Sequence, residues 1–353
     1  MTAEPIVVGV LYPRAWYGDP DGFADEITEI GAVDSRLEVV VEEYAEPHDL
    51  RTARGQPGAG DLREQVPPLT PAQRDVFARL TVALAIDLPY DVASVAPYLR
   101  WVQAVGAGTA QLQSAGLGNA GIQLTSNAGS NSVAIAEFVV GRILQEWKRF
   151  RQLDGLQSRH AWEAVFGEEL AGATVGLIGL GAINAAVAAR LRGFGVRVLA
   201  TRRSATPGAT APDVDELYPT AQLHELLQEC DIVVAAVPET AETRGMFDGA
   251  AFAAVKPGAF FVNVGRGSLV DEPALINALK AGQLRAAALD VASVEPLPAD
   301  HPLWDAPNLY ISPHSATSPS ALFRNIHRVF RDNLARFLAG EPLRNEVDVT
   351  RGY

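Results

Sequence analysis

Thr174-Val175-Gly176-Leu177-Ile178-Gly179-Leu180-Gly181-Ala182-Ile183-Asn184 runs from an apolar strand through a glycine turn into an Ala-rich helix. Gly179 makes the turn tight, and Gly181 lets the backbone come close to a ligand. The helix that opens at Ala182 and Ile183 points unbonded N–H groups and the positive end of its dipole at whatever lies over the turn. A pyrophosphate is the natural occupant. The third glycine of such a loop is absent and Asn184 stands in its place, which puts close packing of helix on strand in question.

Outward from this loop, strands and helices alternate. Strands are predicted at Val196–Ala200, Ile232–Val237, Phe260–Val264 and Ala286–Leu289, and helices at Ala182–Phe194, Leu223–Glu229 and Pro273–Ala281. Such alternation predicts an α/β fold, with a parallel sheet and right-handed crossovers. Upstream, apolar runs at Ile6–Val10, Leu37–Val41, Thr81–Ile86 and Pro97–Val105 predict further strands, the last entering the turn Gly106-Ala107-Gly108. The Gly-, Pro-, Arg- and Gln-rich stretch from Pro47 to Pro71 predicts an exposed loop. Val133, Ala136, Val140, Leu144 and Trp147 recur at helical spacing, so a long helix is expected over Ser132–Phe150 with Asn131 or Ser132 as its cap. A last helix is expected over Ser318–Leu338. At 353 residues the chain exceeds one ordinary core, which predicts two domains.

Composition narrows the function. Apolar residues make up 48% and charged residues 20%, the balance of a soluble globular protein. A net charge of −13 argues against a nucleic-acid partner, and an anionic substrate needs a local cation to overcome the overall field. No apolar stretch reaches the roughly 18 residues of a membrane span, and the N-terminus lacks the pattern of a secretory leader. The one cysteine, Cys230, sits in an apolar run and reads as a packing residue. Together these predict a cytoplasmic protein with no membrane and no nucleic-acid partner, and no metal site is expected.

About 20 residues beyond such a glycine turn, an NAD site carries an acid for the ribose hydroxyls. Here the strand ends in Thr201-Arg202-Arg203-Ser204, with no acid at the turn. A carboxylate would repel a 2′-phosphate, whereas guanidinium and hydroxyl groups hold it. The expected cofactor is therefore NADP, with NAD as the alternative; the plain reading of Arg202 and Arg203 is solvated loop charge.

Three later segments each set an ionisable residue just after an apolar run. They are Asn263-Val264-Gly265-Arg266-Gly267, Leu289-Asp290-Val291-Ala292-Ser293-Val294-Glu295-Pro296 and Ile311-Ser312-Pro313-His314-Ser315-Ala316. In a parallel sheet these are carboxyl ends of strands, where ligands gather. Any one of the three side chains alone reads as surface charge, a turn or a buried polar group. Reducing a keto group builds charge on oxygen as hydride reaches carbon, and an acid within reach removes it. An imidazole kept charged by a carboxylate can be that acid, and a guanidinium matches a planar carboxylate with two parallel hydrogen bonds.

At this point the chain resembles the D-isomer-specific 2-hydroxyacid dehydrogenase family. The match runs over roughly Trp101 to Pro342 through WVQAVGAG, SNAGSNSVAIAE, VGLIGLGAIN, VPETAETRGMF, FVNVGRGSLVDEPAL, ALDVASVEPLP and HPLWDAPNLYISPHSA. The resemblance implies that Arg266 holds the substrate carboxylate and keto oxygen, that His314 gives or takes the proton, and that Glu295 orients His314. It implies that the Val105-Gly106-Ala107-Gly108 turn binds the substrate carboxylate. Val237, Pro238, Thr243, Val264, Gly265 and Ala316 join the glycine loop around the cofactor, and Asp290 lies near the nicotinamide carboxamide, its plain reading being a cap. Ala292-Ser293 departs from the Phe-Glu common in the family, and Thr109-Ala110 from its aspartate after the VGAG-like turn.

The resemblance further implies two doubly wound domains with a cleft between them: a flavodoxin-like substrate domain from residues 1–129 plus 315–353, and a Rossmann NAD(P)-binding domain from residues 130–314. It implies a homodimer, with the helix after Asn131 as its arm, and a small 2-keto or 2-hydroxy acid as substrate. Asp87, Leu88, Pro89, Tyr90 and Trp304, with Tyr12 or Trp16, are candidate walls of the substrate pocket, and Tyr90 and Trp304 read equally well as packing residues. Two other functions stay open: a dinucleotide-sensing corepressor or scaffold, and a phosphite-type dehydrogenase.

Overall fold

The computed structural model describes residues 5–56, 59–206 and 209–348, and the chain divides into two compact units, residues 1–130 with 319–353 and residues 131–318. The first unit carries strands β1 (Ile6–Val10), β2 (Leu37–Val41), β3 (Val82–Ala85), β4 (Trp101–Ala104) and β5 (Gln123–Thr125), and helices α1 (Pro20–Gly31), α2 (His48–Arg54), α3 (Pro71–Phe77) and α4 (Ala110–Gln113), together with the final helix Pro319–Ala339. The strands are parallel in the order β2-β1-β3-β4-β5, the flavodoxin-like order. Successive side chains alternate faces. Val8, Val10, Val82, Leu84 and Trp101 pack with Phe323, Ile326, Phe330 and Leu334 of the final helix, while Val7, Ala83, Ala85, Val102 and Ala104 pack with Phe77, Leu88 and Leu112. Both faces are covered, which is why these strands read as unbroken apolar runs.

The final helix is also tied by polar contacts. His327 is fully buried, and its Nε2 lies 2.8 Å from the Tyr12 hydroxyl. Burial pushes the ring's pKa down to about 4, with Arg331 adding to the shift, so the ring is neutral. The nearby Glu26 carboxylate is paired with Arg331 instead.

The second unit holds β6 (Thr174–Ile178), β7 (Arg197–Thr201), β8 (Glu216–Tyr218), β9 (Ile232–Ala235), β10 (Ala259–Asn263), β11 (Leu284–Leu289) and β12 (Leu309–Ile311), with helices α5 (Ser132–Trp147), α6 (Phe150–Ser158), α7 (Ala182–Leu191), α8 (Leu223–Leu227), α9 (Gly249–Ala254) and α10 (Glu272–Lys280). The parallel order is β8-β7-β6-β9-β10-β11-β12. The chain reverses its direction of travel across the sheet between β6 and β9, the switch point at which doubly wound sheets bind ligands. Cys230 is fully buried, with its pKa pushed up to about 12 by desolvation. A Cβ on Gly176 would lie 2.4 Å from its Sγ, so the thiol fills the space that the glycine leaves.

Several expectations need correction. The Pro47–Pro71 stretch is not all loop, because α2 forms inside it with Leu50 and Arg54 buried. Its two arginines explain this: Arg51 grips both oxygens of buried Asp87 at 2.6–3.0 Å, and Arg54 pairs with Glu46 and donates to the Leu88 carbonyl at 2.9 Å. The helix expected to reach Phe150 stops at Trp147, and Arg149 turns the chain at φ 58° before α6 begins. Asn131 does precede α5, but its side chain makes no capping hydrogen bond. The three-residue strands β5 and β8 were not foreseen, being too short to show a period.

Candidate active site

The glycine loop is built as its sequence requires. Gly179 sits at φ +86°, and a Cβ there would lie 2.3 Å from Val237 Cγ1, so only glycine lets the turn close over the end of β9. The Gly179 amide donates to the Thr201 hydroxyl at 2.9 Å and the Leu180 amide to the Thr201 carbonyl at 2.7 Å, fastening the loop to the end of β7. Gly181 caps α7 with no side chain, and nothing lies within 4 Å of where its Cβ would stand. An open cradle thus faces a helix start whose exposed Ala182 and half-buried Ile183 amides have no partner among the described residues, which fits a pyrophosphate.

Asn184 answers the question of the missing third glycine. Its side chain is completely buried, and Nδ2 donates to the carbonyls of Ile178 at 3.1 Å and Gly179 at 2.9 Å. The helix therefore packs on the strand through an amide clasp rather than through glycine contact. Beyond β7, Arg202, Arg203 and Ser204 lie exposed on the turn, and the Arg202 amide donates to the Tyr218 carbonyl at 3.0 Å. Across from them the Glu242 carboxyl is held below its ordinary pKa, first by the Thr240 hydroxyl and in smaller part by the charge of Arg203.

The ends of β9 and β10 meet this loop. A Cβ on Gly265 would lie 2.9 Å from Leu269 Cδ1 and 3.0 Å from the Val237 carbonyl, so Gly179, Val237 and Gly265 share one crowded backbone junction. Val264 is buried behind it, Pro238 is exposed, and Thr243 closes the next turn through its hydroxyl on the Pro238 carbonyl at 2.7 Å. Buried Asn263 accepts the Gly265 amide at 3.0 Å and donates to the Arg266 carbonyl at 2.9 Å. That fixes the backbone of Arg266. Its exposed guanidinium has no carboxylate partner among the described residues.

Strands β11 and β12 supply the other two side chains. Nδ1 of His314 lies 2.8 Å from Oε2 of Glu295. A carboxylate only accepts, so Nδ1 carries the proton and Nε2 is the nitrogen left to face a substrate. The other Glu295 oxygen accepts the Ala292 amide at 3.0 Å. Both side chains are exposed, and a pair in that setting is worth only about 0–1 kcal/mol on its own. Its geometry has to come from the backbone.

Asp290 provides half of that backbone support. Its Oδ1 accepts the Ser312 hydroxyl at 2.6 Å and the Ser315 amide at 2.9 Å, its Oδ2 accepts the amide of buried Ala316 at 3.0 Å, and its carbonyl accepts the His314 amide at 2.8 Å. His314 itself is in the left-handed region at φ +52°, a conformation that costs on the order of 1–3 kcal/mol and survives only where the surroundings enforce it. These hydrogen bonds make Asp290 the cap of the turn that carries His314.

In the first unit the Val105–Gly108 turn stands by itself. Val105 is buried, Ala107 and Gly108 are exposed, and Asn127 secures the turn by donating to the Ala104 and Val105 carbonyls and, from its amide, to Gly106. The Gly106, Ala107 and Gly108 amides have no partner among the described residues. Most of the proposed pocket walls are not available. Asp87, Leu88 and Pro89 are buried, with Asp87 taken by Arg51, and Tyr12 is buried against His327. Tyr90 lies beneath the guanidiniums of Arg54 and Arg63, at 4.2 and 4.9 Å. Trp16 and Trp304 keep exposed surface.

Comparison with known proteins places this arrangement. The family profile described as D-isomer specific 2-hydroxyacid dehydrogenase, NAD binding domain, matches residues 140–316. A D-3-phosphoglycerate dehydrogenase from Mycobacterium leprae is 32% identical over 77% of this chain and 51% of its own length. The chain thus spans about half the length of the phosphoglycerate dehydrogenases it matches. A glyoxylate reductase from Thermofilum pendens is 34% identical over 76% of this chain and 80% of its own. An NADPH-dependent glyoxylate/hydroxypyruvate reductase from Sinorhizobium meliloti, crystallised with NADP and sulfate, superposes with a TM-score of 0.72 at 26% identity, covering 99% of this chain and all of that one.

The amide clasp of Asn184 yields a prediction. Replacing Asn184 with Ala removes the side-chain donor from the Ile178 and Gly179 carbonyls, which keep the Ala236 and Gly181 amides, and should lower unfolding free energy by about 0.5–1.5 kcal/mol per lost hydrogen bond. Dinucleotide affinity should weaken alongside, because the loosened turn is the one that presents the α7 amides. Urea unfolding and dinucleotide titration check both, and wild-type values for each would remove the clasp.

Proposed function

The chain belongs to the D-isomer specific 2-hydroxyacid dehydrogenase family, and on that premise we propose that it interconverts a small 2-keto acid and the matching D-2-hydroxy acid, working as a reductase on glyoxylate- or hydroxypyruvate-sized substrates. The observation that carries this reading is the 2.8 Å contact from Glu295 to Nδ1 of His314, beside a loop that presents Arg266 with no acidic partner among the described residues.

In this reading the Arg266 guanidinium takes the substrate carboxylate through its paired N–H donors, and that contact turns the keto carbon toward the coenzyme. A bound nicotinamide dinucleotide supplies the hydride; Gly179 to Ile183, Val237, Pro238, Thr243, Val264, Gly265 and Ala316 are the residues that would hold it. His314 donates the Nε2 proton to the keto oxygen as negative charge grows there, and Glu295 stabilises the ring while it carries two protons. In the oxidising direction the neutral ring takes the proton back. The Gly106–Gly108 amides are further proposed as donors to the substrate carboxylate.

A phosphorylated substrate is the less favoured choice. Arg51, Arg54 and Arg63 of the first unit are already committed to Asp87, Glu46 and Asp91, and separating the buried Arg54 from Glu46, or Arg51 from buried Asp87, is costly. NADP is the proposed coenzyme in preference to NAD, since the turn after β7 offers Arg202, Arg203 and Ser204 and no acid.

A spectrophotometric scan of 2-keto acids with NADPH and NADH tests the activity. Turnover of glyoxylate or hydroxypyruvate is expected, and His314→Ala should lower kcat by about 10²–10⁴ with coenzyme affinity nearly unchanged. Turnover of phosphite but of no keto acid, or an unimpaired His314→Ala enzyme, would overturn the reading. For the coenzyme, replacing Arg202 and Arg203 together by Ala should weaken NADPH binding about tenfold or more and NADH binding little, as expected for lost charge-assisted contacts to a phosphate. Equal losses for both would remove the phosphate clamp.

We further propose a homodimer. Phe150, Leu153, Trp162 and Phe166 leave apolar surface in water along one stretch of the second unit, with Trp162 fully exposed, and such stretches mark interfaces. Sedimentation of the wild type should give a dimer and Trp162→Glu a monomer; a wild-type monomer rejects the assembly.

A further inference from the structure

Glu272 is the first residue of α10, a place where a carboxylate ordinarily sits in water and complements the helix dipole. This one is buried. The capping it could have done is done by its neighbour, since Asp271 accepts the Ala274 amide at 3.0 Å. Burying a carboxylate is unfavourable unless its oxygens are satisfied, so the reason for its burial lies in what it holds. Oε1 accepts the Ser293 amide at 2.8 Å, and Oε2 accepts the Ser293 hydroxyl at 2.8 Å. His301 is the ionisable group that faces it, with Nε2 at 3.5 Å from Oε2. The Nδ1 of that ring accepts the Leu303 amide at 3.4 Å, which leaves the proton on the Nε2 side.

Ser293 is not an arbitrary anchor. The residue before it, Ala292, donates its amide to Glu295 Oε1 at 3.0 Å, while Glu295 Oε2 faces His314. From another direction the backbone of the Arg266 loop presses on the same turn. A Cβ on Gly267 would lie 1.9 Å from the Ala292 carbonyl carbon and 2.4 Å from the Ser293 nitrogen. From Ser293 to Pro296 the chain is exposed and belongs to no strand or helix. An ion pair half in water cannot hold such a segment still; paired hydrogen bonds to the buried carboxylate of Glu272 can.

We propose that Glu272 is a positioning residue for the acid–base pair: it pins the Ala292–Ser293 turn so that the Glu295 carboxylate is aimed at Nδ1 of His314. The same carboxylate thereby locks the loop of Arg266, which leads into α10, to the loop of Glu295. Ser293, where the family commonly has another residue, is the partner that lets it do so in this chain. The inference rests on the 2-keto acid reading for its consequence in turnover, and on hydrogen bonding alone for its consequence in loop order.

The test compares Glu272→Ala, Glu272→Gln and Ser293→Ala with the wild type in the full chain, by steady-state kinetics, coenzyme titration and hydrogen–deuterium exchange of residues 291–297. Glu272→Ala should lower kcat about tenfold or more, as a misaimed acid–base pair does, with KM and coenzyme affinity within about twofold and exchange at 291–297 clearly faster. Glu272→Gln still accepts the Ser293 amide and can donate to its hydroxyl, so it should recover most of both. Ser293→Ala loses only the hydroxyl contact and should show the same pattern more weakly, and it decides the matter if Glu272→Ala does not fold. Lower stability with wild-type kcat in the folded enzyme, or unchanged exchange at 291–297, overturns the proposal. A wild type that reduces no keto acid sinks the activity, while the exchange comparison still decides whether Glu272 orders the turn.

Discussion

The second unit depends on a backbone held where it would not rest by itself. His314 sits at φ +52°, and Asp290 keeps it there with its carbonyl on the His314 amide and its carboxylate on Ser312, Ser315 and Ala316. Released, that loop would relax toward ordinary backbone and carry the imidazole away from Glu295. Asp290 is buried and follows directly on β11, and its own amide is bonded to the Asn263 carbonyl at the end of β10. The strain at the histidine is thus borne by the sheet, the stiffest part of the unit, rather than by the exposed loop that carries the ring.

The same logic runs along the carboxyl edge of the sheet. Strand ends are joined to their neighbours by contacts that leave no room for a Cβ: Gly179 against the Val237 side chain, Gly265 against the Val237 carbonyl, Gly267 against the Ala292 backbone. At Gly265 and Gly267 the opposing atoms are main chain, so no rotamer change can relieve those two contacts. Arg266, Glu295 and His314 come from three loops, yet their relative placement follows from the register of β10, β11 and β12.

What the sequence disclosed and what it hid divide along locality. The glycine loop, the alternation of strands and helices and the residues following apolar runs are local patterns, and they gave the fold and the three side chains. Helix α2 was hidden because its stretch is rich in turn formers and its stability comes from Asp87 and Glu46, remote in sequence. Asp87 and Tyr12 looked like pocket walls for the same reason: nothing local announces that Arg51 or His327 will take them. Asn184 shows the converse. Read against a glycine pattern it marked a defect, whereas in the fold its amide makes the hydrogen bonds that glycine contact would otherwise have replaced. Glu272 sat inside a quoted motif without a role, since the function of a buried carboxylate is set by a partner that sequence spacing does not reveal.

Electrostatics closes the argument. A chain with net charge −13 repels the anions it is proposed to bind, so affinity must come from short-range geometry. Arg51, Arg54, Arg63 and Arg285 are each matched by a carboxylate, and these pairs add nothing to the field that an incoming anion meets. Arg266 differs: its loop is fixed by Asn263, the guanidinium bonds only to the Gly265 carbonyl among the described residues, and Glu295, the acid on the neighbouring loop, is turned to His314. Aiming Glu295 at the histidine therefore does two things at once. It supports the ring proposed to handle the proton, and it keeps that carboxylate off the cation proposed to capture the substrate.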